Sequence, residues 1–126
     1  MTRIPIYRIP IMKEINQFLP LSPATLHILL ALASEDRHGY GIMQEVARQT
    51  LNQYKLGPGT LYDNLQKLLD QGLVEEANRS DKDDPRRRYY RLTSLGDGVV
   101  AAEIQRLEGM FRKAKTHLRS IKPRRA

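Results

Sequence analysis

GPGTLYDNLQKLLDQGLVE, residues 57–75, holds a whole helix with its start and stop signals, followed by the opening of a strand. Pro58 lacks a backbone N–H and has a fixed φ suited to a first helical turn. Leu61, Leu65, Leu68 and Leu69 recur at helical spacing, so a helix over about 58–71 has one apolar face. Gly72 supplies a left-handed cap at its end. At about 100° per residue, the leucines turn inward. Gly59, Asp63, Gln66 and Lys67 then face outward, with Thr60, Tyr62 and Asn64 on the flanks.

Downstream, LVEEANR (73–79) and RRYYRLT (87–93) are strand-like. The polar loop between them contains Asp81, Asp83, Asp84 and Pro85, so the pair predicts a hairpin with a charged tip. Thr93 can cap a last, long helix. In that helix Val100, Ile104, Leu107, Phe111, Ala114, Leu118 and Ile121 alternate spacings of four and three, a narrow heptad seam of the kind that meets another helix. After Glu108 no acid appears, while Arg112, Lys113, Lys115, Arg119, Lys122, Arg124 and Arg125 make a basic tail.

Upstream, the segment 51–56 connects to a helix over about 40–50 that buries Ile42, Met43, Val46 and Ala47. SEDRHG (34–39) reads as a turn. Ser22 followed by Pro23 is a strong helix start, and Leu26, Leu29, Leu30 and Ala33 form its predicted buried stripe. Before it, Ile11, Met12, Ile15, Phe18 and Leu19 predict a short amphipathic helix over 11–19 that stops at Pro20. Residues 1–10 carry two prolines and no period, and read as an irregular arm.

A chain of 126 residues is the size of one domain. Its 21 Lys and Arg against 14 Asp and Glu leave a formal charge of +7, which favours a polyanionic partner, nucleic acid ahead of an acidic membrane surface. With no cysteine, disulfides, thiolate metal sites and thiol catalysis are excluded. No apolar run approaches the roughly 18 residues needed to span a bilayer, so no membrane role and a cytoplasmic location are expected. His27, His38 and His117 are scattered, no phosphate-cradling glycine motif occurs, and neither catalysis, a metal nor a cofactor is expected.

HGYGI (38–42), GPGTLYDNLQKLLDQGLVE (57–75) and RRRYYRLTSLG (86–96), in this order and spacing, resemble the PadR family of bacterial transcriptional regulators over about residues 21–98. The resemblance implies a mainly α winged helix-turn-helix with a small β-hairpin, an N-terminal helix and a long C-terminal dimerisation helix. It divides the chain into an arm and short helix (1–20), a DNA-binding domain (21–95), and a dimerisation helix with a basic tail (96–126). A single C-terminal helix looks like the short subgroup. The resemblance also implies a homodimeric repressor of an inverted-repeat, double-stranded DNA operator, relieved by a small-molecule effector. Relatives that bind flat drugs do so between tryptophans, and this chain has none.

On that reading the DNA-binding candidates are Tyr40, Pro58, Gly59, Thr60, Tyr62, Asn64, Lys67, Arg86 and Arg88. Asn64 and Gln66 can read adenine edges, and Lys67 a guanine or a phosphate. Gly57, Pro58 and Gly59 either shape the turn or let DNA approach the free N–H groups of the helix start. Tyr62 either packs beneath the wing or reaches a phosphate; Tyr40 either braces its turn or does the same. Alternation along a strand would set Arg86 and Arg88 on one face and Arg87 on the other, and would send one of Tyr89 and Tyr90 into the core. A solvated arginine run balancing the aspartates of the loop is the bland alternative. The expected dimer contacts are Ile15, Phe18, Val100, Ile104, Leu107, Phe111, Ala114 and Leu118, with no assignable effector residues. The rival function is a winged-helix protein-interaction adaptor without specific DNA binding.

Overall fold

Residues 12–78 and 84–120 are described by a computed structural model of the chain. The N-terminal arm, Ile11, the hairpin tip at 79–83, Ile121 and the end of the basic tail lie outside the described residues. In chain order the elements are α1 (Met12–Asn16), α2 (Pro23–Ala33), β1 (Arg37–His38), α3 (Gly39–Gln49), α4 (Pro58–Asp70), β2 (Val74–Ala77), β3 (Tyr89–Leu92) and α5 (Ser94–Ser120). The sheet has the order β1-β3-β2 and is antiparallel throughout, with Val74 opposite Leu92 and Ala77 opposite Tyr89. Three helices followed by a hairpin that pairs back onto the segment between α2 and α3 make a winged helix-turn-helix.

Local chemistry sets most of these limits. Ser22 Oγ accepts the Thr25 N–H at 3.2 Å and caps α2, with Pro23 in its first turn. Gly72 takes a φ of 76° just after α4, the left-handed conformation that favours glycine. Thr93 Oγ1 accepts the Gly96 N–H at 3.0 Å and donates to the Gly72 carbonyl, so one side chain starts α5 and ties it to the end of α4.

The core gathers Ile28, Leu29, Ile42, Val46, Leu61, Leu65, Leu68, Leu73, Val74 and Val99. Four expectations are corrected. The N-terminal helix is shorter than 11–19, closing in turns at Phe18 and Leu19. On α2 the buried residues are Ile28, Leu29, Ala31 and Leu32, while Leu26 and Leu30 are half-buried and Ala33 is exposed. That helix packs against α3, α4, α5 and β3, so it is covered on several sides and a single stripe misdescribes it. SEDRHG is more than a turn, because Arg37 and His38 pair with Tyr90 and Tyr89. Finally, Ile15 and Val100, expected at a dimer contact, are only 5 % and 6 % exposed within one chain. Contacts of α1 with α5 cover them, leaving little of either side chain for a second chain.

Beyond Val100 the burial of α5 runs out. Phe18 packs against its own core, and Leu107 is half-buried. Ile104, Phe111, Ala114 and Leu118 are exposed, Phe111 by 63 %. Ile104, Leu107, Met110 and Phe111, together with Glu108, line a mainly apolar groove of about 460 Å³. Met110 does not lie on the heptad seam, and Arg106 Nη1 reaches its sulfur at 3.4 Å. Among the described residues no helix is long and apolar enough to cross a membrane.

Candidate nucleic-acid interface

The helix-turn-helix pair is α3 and α4. Its turn is closed by backbone geometry: Leu51 N–H bonds to the Arg48 carbonyl at 3.3 Å and Asn52 N–H to the Ala47 carbonyl at 2.8 Å. This double closure places Leu51 at φ 52°, left-handed without a glycine. Along α4, Pro58, Gly59, Thr60, Tyr62, Asp63, Gln66 and Lys67 are exposed, as the projection of the leucines requires. No side chain caps the start of α4 at Gly57, so the first-turn N–H groups remain open to an anion.

Asn64 differs from its expected role. It is half-buried, its Oδ1 accepts from Thr25 Oγ1 at 2.8 Å, and its Nδ2 donates to the Thr60 carbonyl at 2.8 Å. An amide engaged at both ends and turned toward α2 is poorly placed to read an adenine edge, and this corrects its assignment as a base reader. Gln66 is exposed, with Nε2 donating to Asp70 Oδ1 at 3.0 Å. Lys67 makes no ion pair among the described residues and stands beside Gln17 and Ser22, on the flank of α4 away from the wing.

On the wing side, Tyr62 is 50 % exposed and leans over the start of α3. There His38 Nδ1 accepts the Gly41 N–H at 3.0 Å, capping α3, which requires an unprotonated Nδ1. The ring also meets Tyr89 edge-on at 5.1 Å, and Arg87 Nη1 lies 2.9 Å from its Nε2. Tyr40, Tyr62, Tyr90, His38, Gly39, Asp84 and the three arginines Arg86, Arg87 and Arg88 surround a cleft of about 430 Å³ between helices and wing.

The three arginines do not alternate as a strand would make them. Arg87 N–H bonds to the Asp84 carbonyl at 3.0 Å, so residues 84–87 form a turn and β3 begins only at Tyr89. Arg86, Arg87 and Arg88 therefore all line the cleft. Asp84 accepts the Arg86 N–H and then its guanidinium, which holds its carboxyl below the usual carboxylate range. Arg88 pairs with Glu76 at 3.4 Å and Arg91 with Glu75 at 2.8 Å. Solvated pairs of this kind are worth little, about 0–1 kcal/mol, and exchange readily for a phosphate. Of the two tyrosines, Tyr90 is the buried one, and burial raises its pKa.

The structure thus brings Tyr40, Tyr62, Arg86 and Arg88 to one cleft, and sets Lys67 on the opposite flank of α4. Sequence reasoning does not place His38, Gly39 and Arg87 in the cleft, although HGYG signals that the start of α3 is special. His27 stacks against Tyr54 at 4.7 Å, a packing role. Among the described residues no group of three or more His, Cys, Asp or Glu could hold a metal ion.

Residues 28–102 match the transcriptional regulator PadR-like family. Transcriptional regulator Rv3488 of Mycobacterium tuberculosis is 35 % identical over 88 residues, covering 70 % of this chain and 78 % of that protein. Among solved structures, a PadR family transcription regulator of Clostridium difficile superposes with a TM-score of 0.65 at 22 % identity, covering 77 % of this chain and 99 % of that one. RosR of H. salinarum superposes with a TM-score of 0.62 at 26 % identity, covering 80 % and 93 %. The chain belongs to the transcriptional regulator PadR-like family, and is a winged-helix regulator and not an enzyme.

Proposed function

We propose that the chain is a homodimeric repressor that binds an inverted-repeat, double-stranded DNA operator and is modulated by a small molecule. The observation that carries this reading is the exposed polar face of α4 flanked by an arginine-lined cleft at the wing. A helix of this kind enters a major groove with its N-terminal half nearest the bases. Thr60, Gln66 and Lys67 then meet base edges or the adjoining backbone, while Pro58 and Gly59 allow close approach. Tyr40, Tyr62, Arg86, Arg87 and Arg88 receive a phosphate in the cleft, trading carboxylate partners for it.

The apolar run Ile104, Leu107, Met110, Phe111 and Leu118 on α5 supports pairing with a second copy. In this arrangement residues 21–95 read DNA in the cytoplasm and 96–126 pair the subunits. Two reading heads then lie about one helical turn of DNA apart, and an effector that alters the angle between subunits alters that spacing.

Selection of duplexes from a random pool by the full-length protein tests the reading. An inverted repeat with half-sites about 34–36 Å apart is expected. Log affinity is expected to fall linearly with log salt, and Arg86→Ala with Arg88→Ala to flatten that slope by about one unit for each phosphate no longer neutralised. No complex with any duplex at about 50 mM salt and tens of micromolar protein overturns the DNA reading.

A further inference from the structure

The start of α2 and the first turn of α4 are joined by hydrogen bonds that run in one direction. Ser22 Oγ donates to Thr25 Oγ1 at 2.9 Å, Thr25 Oγ1 donates to Asn64 Oδ1 at 2.8 Å, and Asn64 Nδ2 donates to the Thr60 carbonyl at 2.8 Å. Each hydroxyl has one proton, so the assignment is self-consistent. Thr25 Oγ1 already accepts from Ser22 and must give its own proton to Asn64, while a carbonyl acceptor at Thr60 fixes which end of the amide carries nitrogen. Ser22 Oγ accepts the Thr25 N–H as it donates, closing the cap of α2.

The head of this chain of bonds is itself anchored. Leu21 N–H donates to Glu103 Oε2 at 3.1 Å, and Glu103, 1 % exposed on α5, is held by Arg106 at 2.6 Å. That guanidinium, ahead of the Leu21 N–H, keeps the Glu103 carboxyl below its ordinary pKa despite burial. The start of α2 is therefore fixed to α5, and the first turn of α4 is fixed to the start of α2.

We propose that Ser22, Thr25 and Asn64 form a positioning relay that sets the tilt of the reading helix against α5 and so governs discrimination between DNA sequences. The inference rests on the DNA-binding reading above. Phosphate neutralisation tolerates a small tilt of α4, because the backbone charge is spread along the duplex. Base readout does not, because paired donors and acceptors must meet base edges within hydrogen-bond distance. Thr25 and Ser22 touch no DNA in this arrangement and act through Asn64.

Thr25→Val keeps the shape of the side chain and removes its hydroxyl; Thr25→Ser keeps the hydroxyl. Affinities of full-length protein for its selected operator and for random duplex are compared at one salt concentration. Thr25→Val is expected to lower the ratio about tenfold while random-duplex affinity and subunit mass stay as in the wild type and the melting temperature falls by no more than about 6 °C, the loss of a hydrogen bond of about 1 kcal/mol. Thr25→Ser is expected to keep the wild-type ratio, Asn64→Ala to lose discrimination, and Thr25→Val with Asn64→Ala to lose no more than Asn64→Ala. An unchanged ratio in Thr25→Val, an equal loss for both duplexes, or additive losses in the double variant overturns the relay. Absence of any wild-type complex overturns the DNA reading, and the relay's proposed role with it.

Discussion

Gly39, the first residue of α3, lies so close beneath Tyr62 of α4 that a Cβ built on it would fall 2.8 Å from Tyr62 Cζ and nearer still to the hydroxyl oxygen. Because Tyr62 is half exposed, its ring can swing aside and the core beneath need not move. Gly39→Ala is therefore expected to shift the melting temperature by less than about 4 °C. DNA affinity is expected to fall about fivefold, the equivalent of one hydrogen bond of about 1 kcal/mol. Thermal melting and mobility shifts on the same samples check this, and unchanged DNA affinity removes Tyr62 from the contact surface.

Glu45 is a buried carboxylate on α3 that accepts from Arg48 and Gln49 and pairs with Arg37 at 3.5 Å. The Arg48 guanidinium does most to hold its pKa down at about 2, against the penalty of burial. A folded pKa below the unfolded one gives stability that is complete above about pH 5 and drains away as acid brings the pH toward about 2. With Arg48 largely exposed and screened, about 1–2 kcal/mol is at stake. Urea unfolding from neutral pH down to about pH 3 should show that decline in the wild type and a flatter one in Glu45→Gln. Equal acid slopes would remove this carboxylate as a source of acid sensitivity.

Leu51 is 82 % exposed and left-handed, so it bears backbone strain without packing in return. Leu51→Gly relieves the strain, partly offset by the greater freedom of glycine in the unfolded chain. A net gain of about 0.5–1 kcal/mol is expected, with a melting temperature about 2–5 °C higher. Leu51→Ala retains a Cβ and should gain little; a gain as large as that of glycine would show that backbone handedness is not the cause.

Phe111→Glu places a charge at the centre of the apolar face of α5. The side chain has no core role within the chain, so the helix should survive while the proposed pairing with a second copy is lost. Sedimentation is expected to report a dimer for the wild type and a monomer for the variant, with far-ultraviolet circular dichroism nearly unchanged. An unaltered dimer mass would move the interface elsewhere.

Features fixed by chemistry within one turn of chain are legible in the sequence. Ser22 with Pro23, Pro58, Gly72 and Thr93 each mark a helix limit through a group three or fewer residues away, and the leucine period of α4 reveals its polar face. What is not legible depends on partners far along the chain. β1 is two residues long, too short for a period, and exists through Tyr89 and Tyr90 some fifty residues later. Asn64 looks like a reader because Thr25, which engages it, lies 39 positions back. A heptad seam states that a face is apolar but not what covers it, so Val100, which meets its own core, cannot be told from Phe111, which does not. The arginine run reads as a strand because the turn at Asp84 depends on a backbone bond that sequence alternation does not reveal.

The pairing of β1 with β3 has a mechanical consequence. Since β1 runs without a spacer into α3, Tyr89 and Tyr90 cannot shift without carrying Arg37, His38 and the cap of α3 with them. The base of the wing is thus tied to the helix-turn-helix through β1, so that a displacement of β3 is passed to the start of α3. A load on β3 is therefore shared between hairpin and helices, as in a bracket whose two arms are joined at the corner.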